Sequence, residues 1–522
     1  MDCDVIVVGS GPAGTSAAHE LVSAGRRVTL IDAGGPVDRT RAGNLTDASS
    51  SAGVRPRRSM NTSPKLRSPD VAWMFEDFAR AYDVQTDNFE LIGSLAHGGL
   101  SNAWGAGVAE WTNELDDWPV EARSTRDWYR AISNRIGVSG PDDDELTPHV
   151  SPTMSLQPPV AVGSPANLLV GAAASRRRDA SLLIGGVRHA VLTKPIGARQ
   201  ACDSTGTCMT GCPVRAIYTS QMDLETLGSR DSFELRSHTT VVRIGQEGRR
   251  PFVEVVLEGT EVHRLYATRV LVAAGPPAST ALALAMIGAQ DSGAPIQSTP
   301  VMAWALLPLT GGLPARFAGG FSMGQGMHLG WPSHEPFFAN ESVYGGFFNA
   351  GALPVSEMMD RLPRVLATIG SPVLTRLWER LVLATAFLPG RFSRNRIRVA
   401  TIERSSPPAI RISGETGAEA RRAYASLKGF YRSRFARVGW LLVPGSVQLA
   451  PVGSDVHYGA SLPMTDLATR PTLSTDPMGR LALADRIHFV DGSILPTLPG
   501  KPHTLTVMAN ASRIASVLAG WD

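Results

Sequence analysis

The sequence predicts an α/β protein whose N-terminal part is a Rossmann-like, doubly wound domain built on a parallel sheet. Residues 4–8 read Asp-Val-Ile-Val-Val, and a continuous β-branched run of this kind is typical of a strand covered on both faces. Residues 15–24 carry alanines and leucines at helical spacing, and residues 27–31 form a second apolar run. A strand, a helix and a strand in this order indicate a βαβ unit.

The turn between the first strand and the helix has the pattern of a pyrophosphate-binding loop. Its first glycine allows the tight turn, its second lets a phosphate approach the backbone, and its third lets helix and strand pack closely. The helix N-terminus then faces the phosphate charge, and an acid at the end of the second strand suits the ribose hydroxyls. The motif alone leaves FAD and a nicotinamide dinucleotide open. The predicted dinucleotide-binding residues are Gly9, Gly11, Pro12, Ala13, Gly14 and Asp32.

Composition excludes several other classes of protein. The 522 residues include 50 Lys and Arg against 47 Asp and Glu, a net charge of +3, without the basic clusters of a nucleic-acid binder. A hydrophobic fraction of 43% excludes a disordered chain. No apolar run reaches the roughly 18 residues of a membrane span, and the N-terminus lacks a basic leader. We therefore expect a cytoplasmic protein.

Two distant segments resemble the signatures of the glucose–methanol–choline (GMC) family of FAD oxidoreductases. Residues 488–497 read His-Phe-Val-Asp-Gly-Ser-Ile-Leu-Pro-Thr and precede a final helical segment, 504–514. Residues 98–105 read Gly-Gly-Leu-Ser-Asn-Ala-Trp-Gly, similar to the family's loop beside the isoalloxazine, with Trp one position earlier. Two weaker matches are 239–242, similar to the strand that covers the adenine, and 270–275, similar to the returning strand of the Rossmann half.

The resemblance implies FAD rather than a nicotinamide cofactor, and a flavin domain assembled from separated chain segments. It places the FAD-binding domain at 1–130, 196–290 and 466–522. The substrate domain, an antiparallel sheet with helices covering the flavin, would comprise 131–195 and 291–465. The further FAD-binding residues that it implies are Gly98, Gly99, Ser101, Asn102, Trp104, Val241, Ala274, Gly275, Asp491, Gly492 and Thr504.

The resemblance also implies an alcohol-oxidising site. The family uses a His from a His-x6-Met stretch, and His457 to Met464 has that spacing, although the usual Gly-Thr pair inside it is replaced. The family's second group, a His or Asn ahead of the final helix, is replaced by Pro502. We predict His457 as the base, with the neighbouring His503, or else Lys501, holding the substrate oxygen. The alternatives are a buried histidine satisfied by backbone and a residue that only caps the helix.

The predicted reaction is oxidation of a small-molecule alcohol on a sugar, cyclitol or glycosylated metabolite, with O2 or another electron acceptor. A lyase, or an electron-transfer or binding subunit that keeps FAD, remains an alternative on the same scaffold. We expect no nucleic-acid partner and no membrane contact, and the sequence leaves the oligomeric state open.

Three of the four cysteines lie within eleven residues, in a C-x5-C-x3-C-P pattern. Three thiolates in a Gly-containing loop followed by Pro suit an iron–sulfur cluster, and the stretch is similar to one in FAD-dependent sugar dehydrogenases that carry a three-iron (3Fe–4S) cluster. The alternative is a set of reduced, partly buried thiols or a disulfide. The candidate cluster ligands are Cys202, Cys208 and Cys212.

Two further segments carry weaker predictions. Residues 374–389 have apolar positions at helical spacing with arginines around them, which predicts an amphipathic helix. Residues 38–70 are rich in Arg, Ser and Asn without periodicity, which predicts a long surface loop near the cofactor.

Overall fold

The computed structural model describes residues 3–38, 64–67, 69–175, 179–257, 259–289, 292–309, 314–332, 338, 341–353, 371–400, 404–466 and 471–520. Most of the predicted loop at 38–70 therefore lies outside the described residues.

These ranges contain both β-strands and α-helices. The strands are β1 Val5–Val8, β2 Val28–Ile31, β3 Gln85–Asp87, β4 Val138–Ser139, β5 Leu156–Gln157, β6 Leu182–Gly185, β7 Phe233–Arg236, β8 Thr240–Glu247, β9 Arg250–Val256, β10 His263–Tyr266, β11 Arg269–Val272, β12 Ala294–Ser298, β13 Val301–Pro308, β14 Gly326–Gly330, β15 Val343–Asn349, β16 Val382–Phe387, β17 Asn395–Ala400, β18 Ala409–Ser413, β19 Trp440–Leu442, β20 Gln448–Leu449, β21 Tyr458–Gly459 and β22 Ile487–Phe489. The helices are α1 Pro12–Ser23, α2 Pro69–Ala81, α3 Tyr129–Ile136, α4 Thr147–Val150, α5 Ala166–Ala174, α6 Gln221–Leu227, α7 Pro276–Met286, α8 Ser371–Trp378, α9 Ala418–Arg437 and α10 Thr504–Ala519.

A five-stranded parallel sheet forms the base of the molecule, in the order β22-β11-β1-β2-β7. All four residues of β1 are buried, because strands flank it on both sides and helices cover its faces. Helix α1 packs against the final helix, α10. The predicted strand–helix–strand unit is confirmed, and β22 arrives from the far end of the chain.

An antiparallel sheet covers the cavity above the parallel sheet, and we call it the roof sheet. Its order is β19-β13-β16-β15-β14-β6, and β20 also pairs with β13. Along β15 the side chains alternate, as a strand requires. Phe347 contacts Phe435 of α9 on one face, whereas Tyr344 and Phe348 line a cavity on the other. The predicted fold class, a Rossmann-like domain with an antiparallel-sheet-plus-helices domain, is confirmed.

Three further sheets complete the fold of the described residues. One has the order β21-β12-β17-β18-β3, and Tyr458 of its strand β21 lines the cavity; the others are β10-β9-β8 and the pair β4-β5. In the first of these sheets, Ser298 of β12 pairs with Tyr458 of β21. Because the two strands are antiparallel, the residue after Ser298 lies opposite the residue before Tyr458.

The helix predicted over 374–389 is wrong beyond its first turn. Helix α8 ends at Trp378, and Val382–Phe387 forms β16, a strand between β13 and β15. The alternating burial of β16 fits a strand with one face on the core. Its hydrogen-bond partners are two neighbouring strands, and the apolar pattern of this segment alone does not reveal them. Within the described ranges, no helix has the length and apolar character needed to cross a membrane.

Candidate active site

A cavity of about 450 Å³ runs from the carboxyl ends of β1, β2 and β11 to the roof sheet. The glycines at its lower end divide into two kinds. A Cβ on Gly9, which has a φ of +96°, would lie 2.5 Å from the Ala273 carbonyl oxygen, and a Cβ on Gly14 would overlap the Gly9 carbonyl oxygen. A Cβ on Gly11 would meet no protein atom within 4 Å and would project into open space. The cavity is therefore open beside the Gly11 backbone, which would allow a phosphate to approach it.

Two carboxylates hold the loops around this end of the cavity. Asp32 accepts hydrogen bonds from the Ser10 amide (2.8 Å), the Ser10 hydroxyl (2.5 Å) and the Gly34 amide (2.8 Å). Asp491 accepts from the Gly275 amide (2.9 Å), the Ser279 hydroxyl (2.5 Å) and the Ser493 amide (2.9 Å), and its burial raises its pKa. We call this end, with residues 8–14, Asp32 and Asp491, the nucleotide cradle.

The loop that follows residue 97 is tied to the cradle by short hydrogen bonds. The Gly98 amide donates to the Ser10 hydroxyl (2.9 Å), and the Ser101 hydroxyl donates to the Gly98 carbonyl (2.5 Å). The Asn102 amide group donates to the His97 carbonyl (2.8 Å), and the Trp104 indole donates to the Tyr218 carbonyl (2.9 Å). The bond from Gly98 to Ser10 joins the loop to the cradle, and the others hold the loop itself and anchor Trp104.

Most of the predicted cofactor residues line the cavity, and three support it from behind. Gly14, Gly98 and Asn102 do not line it, because close packing and loop hydrogen bonds occupy them. The lining residues among those predicted are Gly9, Gly11, Pro12, Ala13, Asp32, Gly99, Ser101, Trp104, Val241, Ala274, Gly275, Asp491, Gly492 and Thr504.

His457 and His503 meet at the upper end of the same cavity. Their ring centroids are 5.2 Å apart and the ring planes are nearly perpendicular, at 87°. Burial lowers the pKa of His457 to about 4 and that of His503, helped by the neighbouring imidazole, to about 3. Both rings are therefore neutral near pH 7. We call this end, with the roof-sheet residues facing it, the histidine chamber.

The contacts of His503 and His457 differ from those of the alternative roles, a helix cap for His503 and a backbone-bonded buried ring for His457. His503 occupies the N-cap position of α10, yet its side chain makes no capping hydrogen bond and instead faces the cavity. The Nδ1 of His457 lies 3.0 Å from the Thr299 hydroxyl oxygen rather than on a backbone group. Asp455, whose burial raises its pKa to about 7, accepts from that same hydroxyl at 3.0 Å.

Lys501 lies away from the histidines. Its side chain is buried, and the ammonium lies 2.8 Å from a carboxylate oxygen of Glu114. It also donates to the His149 carbonyl oxygen (2.8 Å) and the Thr112 hydroxyl (3.3 Å). The predicted role of Lys501 as a substrate-oxygen ligand does not fit this position, because the cavity lining excludes it and Glu114 neutralises its charge.

Two further polar side chains line the chamber without hydrogen-bond partners among the described residues: the imidazole of His189 and the hydroxyl of Tyr344. A Cβ built on Gly324 would lie 3.6 Å from His189 Nε2, and one built on Gly107 would lie 3.7 Å from the Tyr344 hydroxyl. Burial lowers the pKa of His189 to about 3, so this ring is neutral as well. A ligand in the chamber would be able to satisfy both groups.

The cysteine segment does not support the predicted iron–sulfur cluster. Cys202, Cys208 and Cys212 are free thiols, and the described residues contain no group of three His, Cys, Asp or Glu side chains arranged to hold a metal. The Cys212 sulfur accepts a hydrogen bond from the Ala216 amide (3.2 Å), and burial raises the pKa of Cys202. Cys208 and Cys212 line a second cavity, of about 370 Å³, beside the loop that contains Ser101.

Sequence reasoning missed several residues of the site. Ser10 stands at a variable position of the glycine motif, and only its bonds to Asp32 and Gly98 reveal its role. Asp455 lies only two residues before His457, and an acid so close to the predicted base is a signal in the sequence that could have identified it. Thr299, His189 and Tyr344 carry no such clue, because the fold brings them in from distant segments.

Comparisons with known proteins agree with this architecture. Residues 3–90 match the family model described as pyridine nucleotide-disulphide oxidoreductase. Among solved structures, the chain is similar to pyridoxine 4-oxidase from Mesorbium loti, with 17% identity, 98% of each chain covered and a TM-score of 0.59. No curated protein matches the sequence. At this identity the likeness establishes the fold, and along nearly its whole length the chain has the fold of that oxidase.

Proposed function

We propose that this protein binds FAD and oxidises the hydroxyl group of a small uncharged alcohol to a carbonyl. The observation that carries the proposal is the meeting of His457 and His503 in the same cavity as the nucleotide cradle. A dinucleotide laid from Gly11 toward the chamber would bring its reactive ring to these two imidazoles. The whole-length likeness to an oxidase and the GMC-like motifs support the same reading.

The residues of the cradle fit FAD. The amides at the start of α1 and the bare Gly11 suit the pyrophosphate, and Asp32 suits the ribose hydroxyls. Trp104 and Thr504 also line the cavity, and we expect them to contact the flavin ring. When bound, FAD supplies the acceptor for the hydride of the alcohol carbon.

The two histidines provide the proton chemistry in this proposal. His457 is neutral at pH 7 and accepts the hydroxyl proton, so the carbon can release its hydride. His503, also neutral, hydrogen-bonds the substrate oxygen and holds it in place. The Lys501–Glu114 pair stabilises the turn before α10 and takes no part in the reaction.

The chamber favours an uncharged substrate. Among the described residues that line the cavity there is no lysine or arginine, and many of them are aliphatic residues, aromatic residues or glycines. A phosphorylated or carboxylated alcohol would find no cation there. Sugars, cyclitols and glycosylated metabolites fit this environment, because their apolar faces stack on rings such as Phe387 and Phe348 while their hydroxyls hydrogen-bond.

The test is bleaching of the flavin by substrate without oxygen. The FAD-loaded protein is mixed anaerobically with a panel of sugars, cyclitols and ring-bearing primary alcohols, and the flavin absorbance near 450 nm is followed. We expect one chemical class to bleach the flavin, and His457→Gln to slow the bleaching by about 100-fold or more at unchanged FAD content. His263→Gln, at an exposed strand position outside the cavity, is the matched control. Oxygen consumption, compared with reduction of an artificial dye, then identifies the class of electron acceptor.

Failure of every alcohol to bleach the flavin, together with an unaffected His457→Gln variant, would contradict the proposal. Bound FAD with no alcohol oxidation would instead favour an electron-transfer subunit. Consumption of substrate without any change in flavin redox state would favour a lyase.

A further inference from the structure

The hydroxyl of Thr299 lies between a buried carboxyl group and the proposed base. Its oxygen is 3.0 Å from Asp455 Oδ2 and 3.0 Å from His457 Nδ1. The pairing of β12 with β21 at Ser298 and Tyr458 places Thr299 directly opposite His457, so this contact is built into the sheet. The three residues form a short chain of hydrogen bonds that ends at the chamber.

The backbone around Asp455 is strained in a way that serves this arrangement. Val456 has a φ of +60°, a left-handed conformation that a β-branched residue adopts only under constraint from its surroundings. The bend lets Asp455 Oδ2 accept from the His457 amide (3.2 Å) as well as from the Thr299 amide (2.8 Å). Strain at a buried turn between an acid and a histidine is typical of a functional site.

The directions of these hydrogen bonds follow from counting protons. Oδ2 of Asp455 already faces two amide donors, so it can only accept from the Thr299 hydroxyl. That hydroxyl has one proton and donates it to Asp455, which leaves only lone pairs for His457 Nδ1. Nδ1 of the neutral ring must therefore carry a proton, and Nε2 must be bare.

We infer that Asp455 and Thr299 are positioning residues that hold His457 in the Nδ1–H tautomer, with the Nε2 lone pair available in the chamber. The role of this tautomer in catalysis rests on the proposed function, whereas the assignment of the tautomer rests only on the hydrogen bonds. Alcohol oxidation needs that lone pair, since the hydroxyl proton moves from the substrate oxygen to Nε2 as the hydride leaves the carbon. In the opposite tautomer Nε2 would carry a proton and could not act as the base.

The arrangement tolerates a change in the charge of Asp455. Burial raises the pKa of Asp455 to about 7, so the group takes up a proton near neutral pH. Because Oδ2 faces three donors, that proton belongs on Oδ1, and Oδ2 continues to accept from Thr299. The tautomer of His457 therefore stays the same on both sides of this titration.

The test replaces Thr299 by Val, which keeps the shape of the side chain and removes the hydroxyl. Thr299→Ser keeps the hydroxyl and serves as the rescue variant. Thr475→Val is the matched control, since Thr475 is a buried threonine whose hydroxyl donates to the Leu462 carbonyl (3.0 Å) and which does not line the cavity. FAD content and melting temperature verify that each variant is folded.

The first readout is the tautomer itself, from ¹⁵N nuclear magnetic resonance of histidine-labelled FAD-loaded protein without substrate. The His457 signals among the eleven histidines are assigned by their loss in His457→Gln. We expect the Nδ1–H pattern in the wild type, Thr299→Ser and Thr475→Val, and a shift to the Nε2–H tautomer in Thr299→Val. The second readout is anaerobic flavin bleaching, which we expect to slow by about 10- to 100-fold in Thr299→Val alone.

An Nε2–H tautomer in the wild type, or an unchanged tautomer in Thr299→Val, overturns the inference, whatever the enzyme does with alcohols. Equal slowing in Thr299→Val and Thr475→Val also overturns it, because the effect would then reflect the loss of any buried hydroxyl. Failure of the proposed function has a different signature: no alcohol bleaches the flavin, while the tautomer still responds to Thr299→Val.

Discussion

The two ends of the cavity are built in opposite ways. In the nucleotide cradle the chain exposes backbone atoms to the cavity, and its carboxylates already accept hydrogen bonds from the protein. Asp32, for example, accepts from Ser10 and Gly34. In the histidine chamber the chain presents side chains, and several polar atoms, such as those of His189 and Tyr344, have no partner in the described structure. These atoms face the cavity, so a bound ligand can hydrogen-bond them. The carboxylates of the cradle are thus paired within the protein, whereas the polar side chains of the chamber are left for a ligand.

The largest expected effect is acid destabilisation, which should begin with buried histidines. Burial lowers their pKa values in the folded state, while the unfolded chain binds protons near pH 6.5. As the pH falls from 6.5 toward 4, only the unfolded state gains protons, so the free energy of unfolding falls, by about 2 kcal/mol for each such histidine between pH 6.5 and 5. Urea unfolding followed by tryptophan fluorescence measures it. The histidines with a pKa of about 3 are His189 and His503, and those with a pKa of about 4 are His328, His457 and His488.

Asp455 acts in the other direction, because its raised pKa of about 7 makes the folded state bind a proton as the pH falls below 7. Burial also raises the pKa values of Asp491, Glu20 and Glu110, which act in the same direction. The five histidines outnumber these acids, so we expect a net loss of stability in acid. Replacement of His457 by Gln should reduce the slope of stability with pH, and replacement of the exposed His263 should not. A flat profile between pH 6.5 and 5 would contradict the neutral, buried state of these rings.

In the cradle, the expected effect of a mutation depends on which glycine is changed. A Cβ at Gly11 would meet no protein atom within 4 Å, so we expect Gly11→Val to leave apoprotein stability nearly unchanged and to lower FAD affinity by about 100-fold or more. Alanine at Gly14 would overlap the Gly9 carbonyl oxygen, so it should destabilise the fold itself. FAD titration and melting of the apoprotein separate the two effects. Unchanged FAD affinity in Gly11→Val would place the pyrophosphate elsewhere.

The cradle was predictable from the sequence because its requirements are local. Gly9, Gly11, Gly14 and Asp32 lie within one βαβ unit, and each has a steric or electrostatic reason to be there that spacing reveals. His457 and His503 emerged through the resemblance of their surrounding motifs.

The rest of the chamber depends on pairing between distant strands. Thr299 lies 158 residues from His457, and only the β12–β21 register joins them. The strand β16 was mistaken for a helix for the same reason, since its apolar run fits both periods until its neighbours in the roof sheet are known. His503 faces the cavity and Lys501 does not, because Lys501 pairs with the Glu114 carboxylate. Glu114 comes from another segment, so the sequence near Lys501 does not reveal this pairing.

A smaller effect is expected from the two polar side chains of the chamber that have no hydrogen-bond partner among the described residues. His189→Phe and Tyr344→Phe each remove one hydrogen-bonding group that we expect the substrate to satisfy. The KM for the alcohol should rise by about 10-fold in each variant, with kcat and FAD content changed much less. Steady-state kinetics with the best alcohol from the panel measures this. If flavin absorbance shifts while KM is unchanged, the two groups contact the flavin rather than the substrate.

The smallest effect should come from the cysteines, which belong to neither end of the cavity. Cys202, Cys208 and Cys212 are free thiols, and the Ala216 amide hydrogen-bonds the last of them. Replacing all three by Ser should leave FAD content and the rate of flavin bleaching unchanged, with a loss of stability of about 1 kcal/mol. Iron and acid-labile sulfide analysis of anaerobically purified wild type should find no stoichiometric cluster. Iron that is present in the wild type and lost in the triple variant would mean that these thiols rearrange around a cluster. The cysteine loop, rather than the chamber, would then be the route by which electrons leave the flavin.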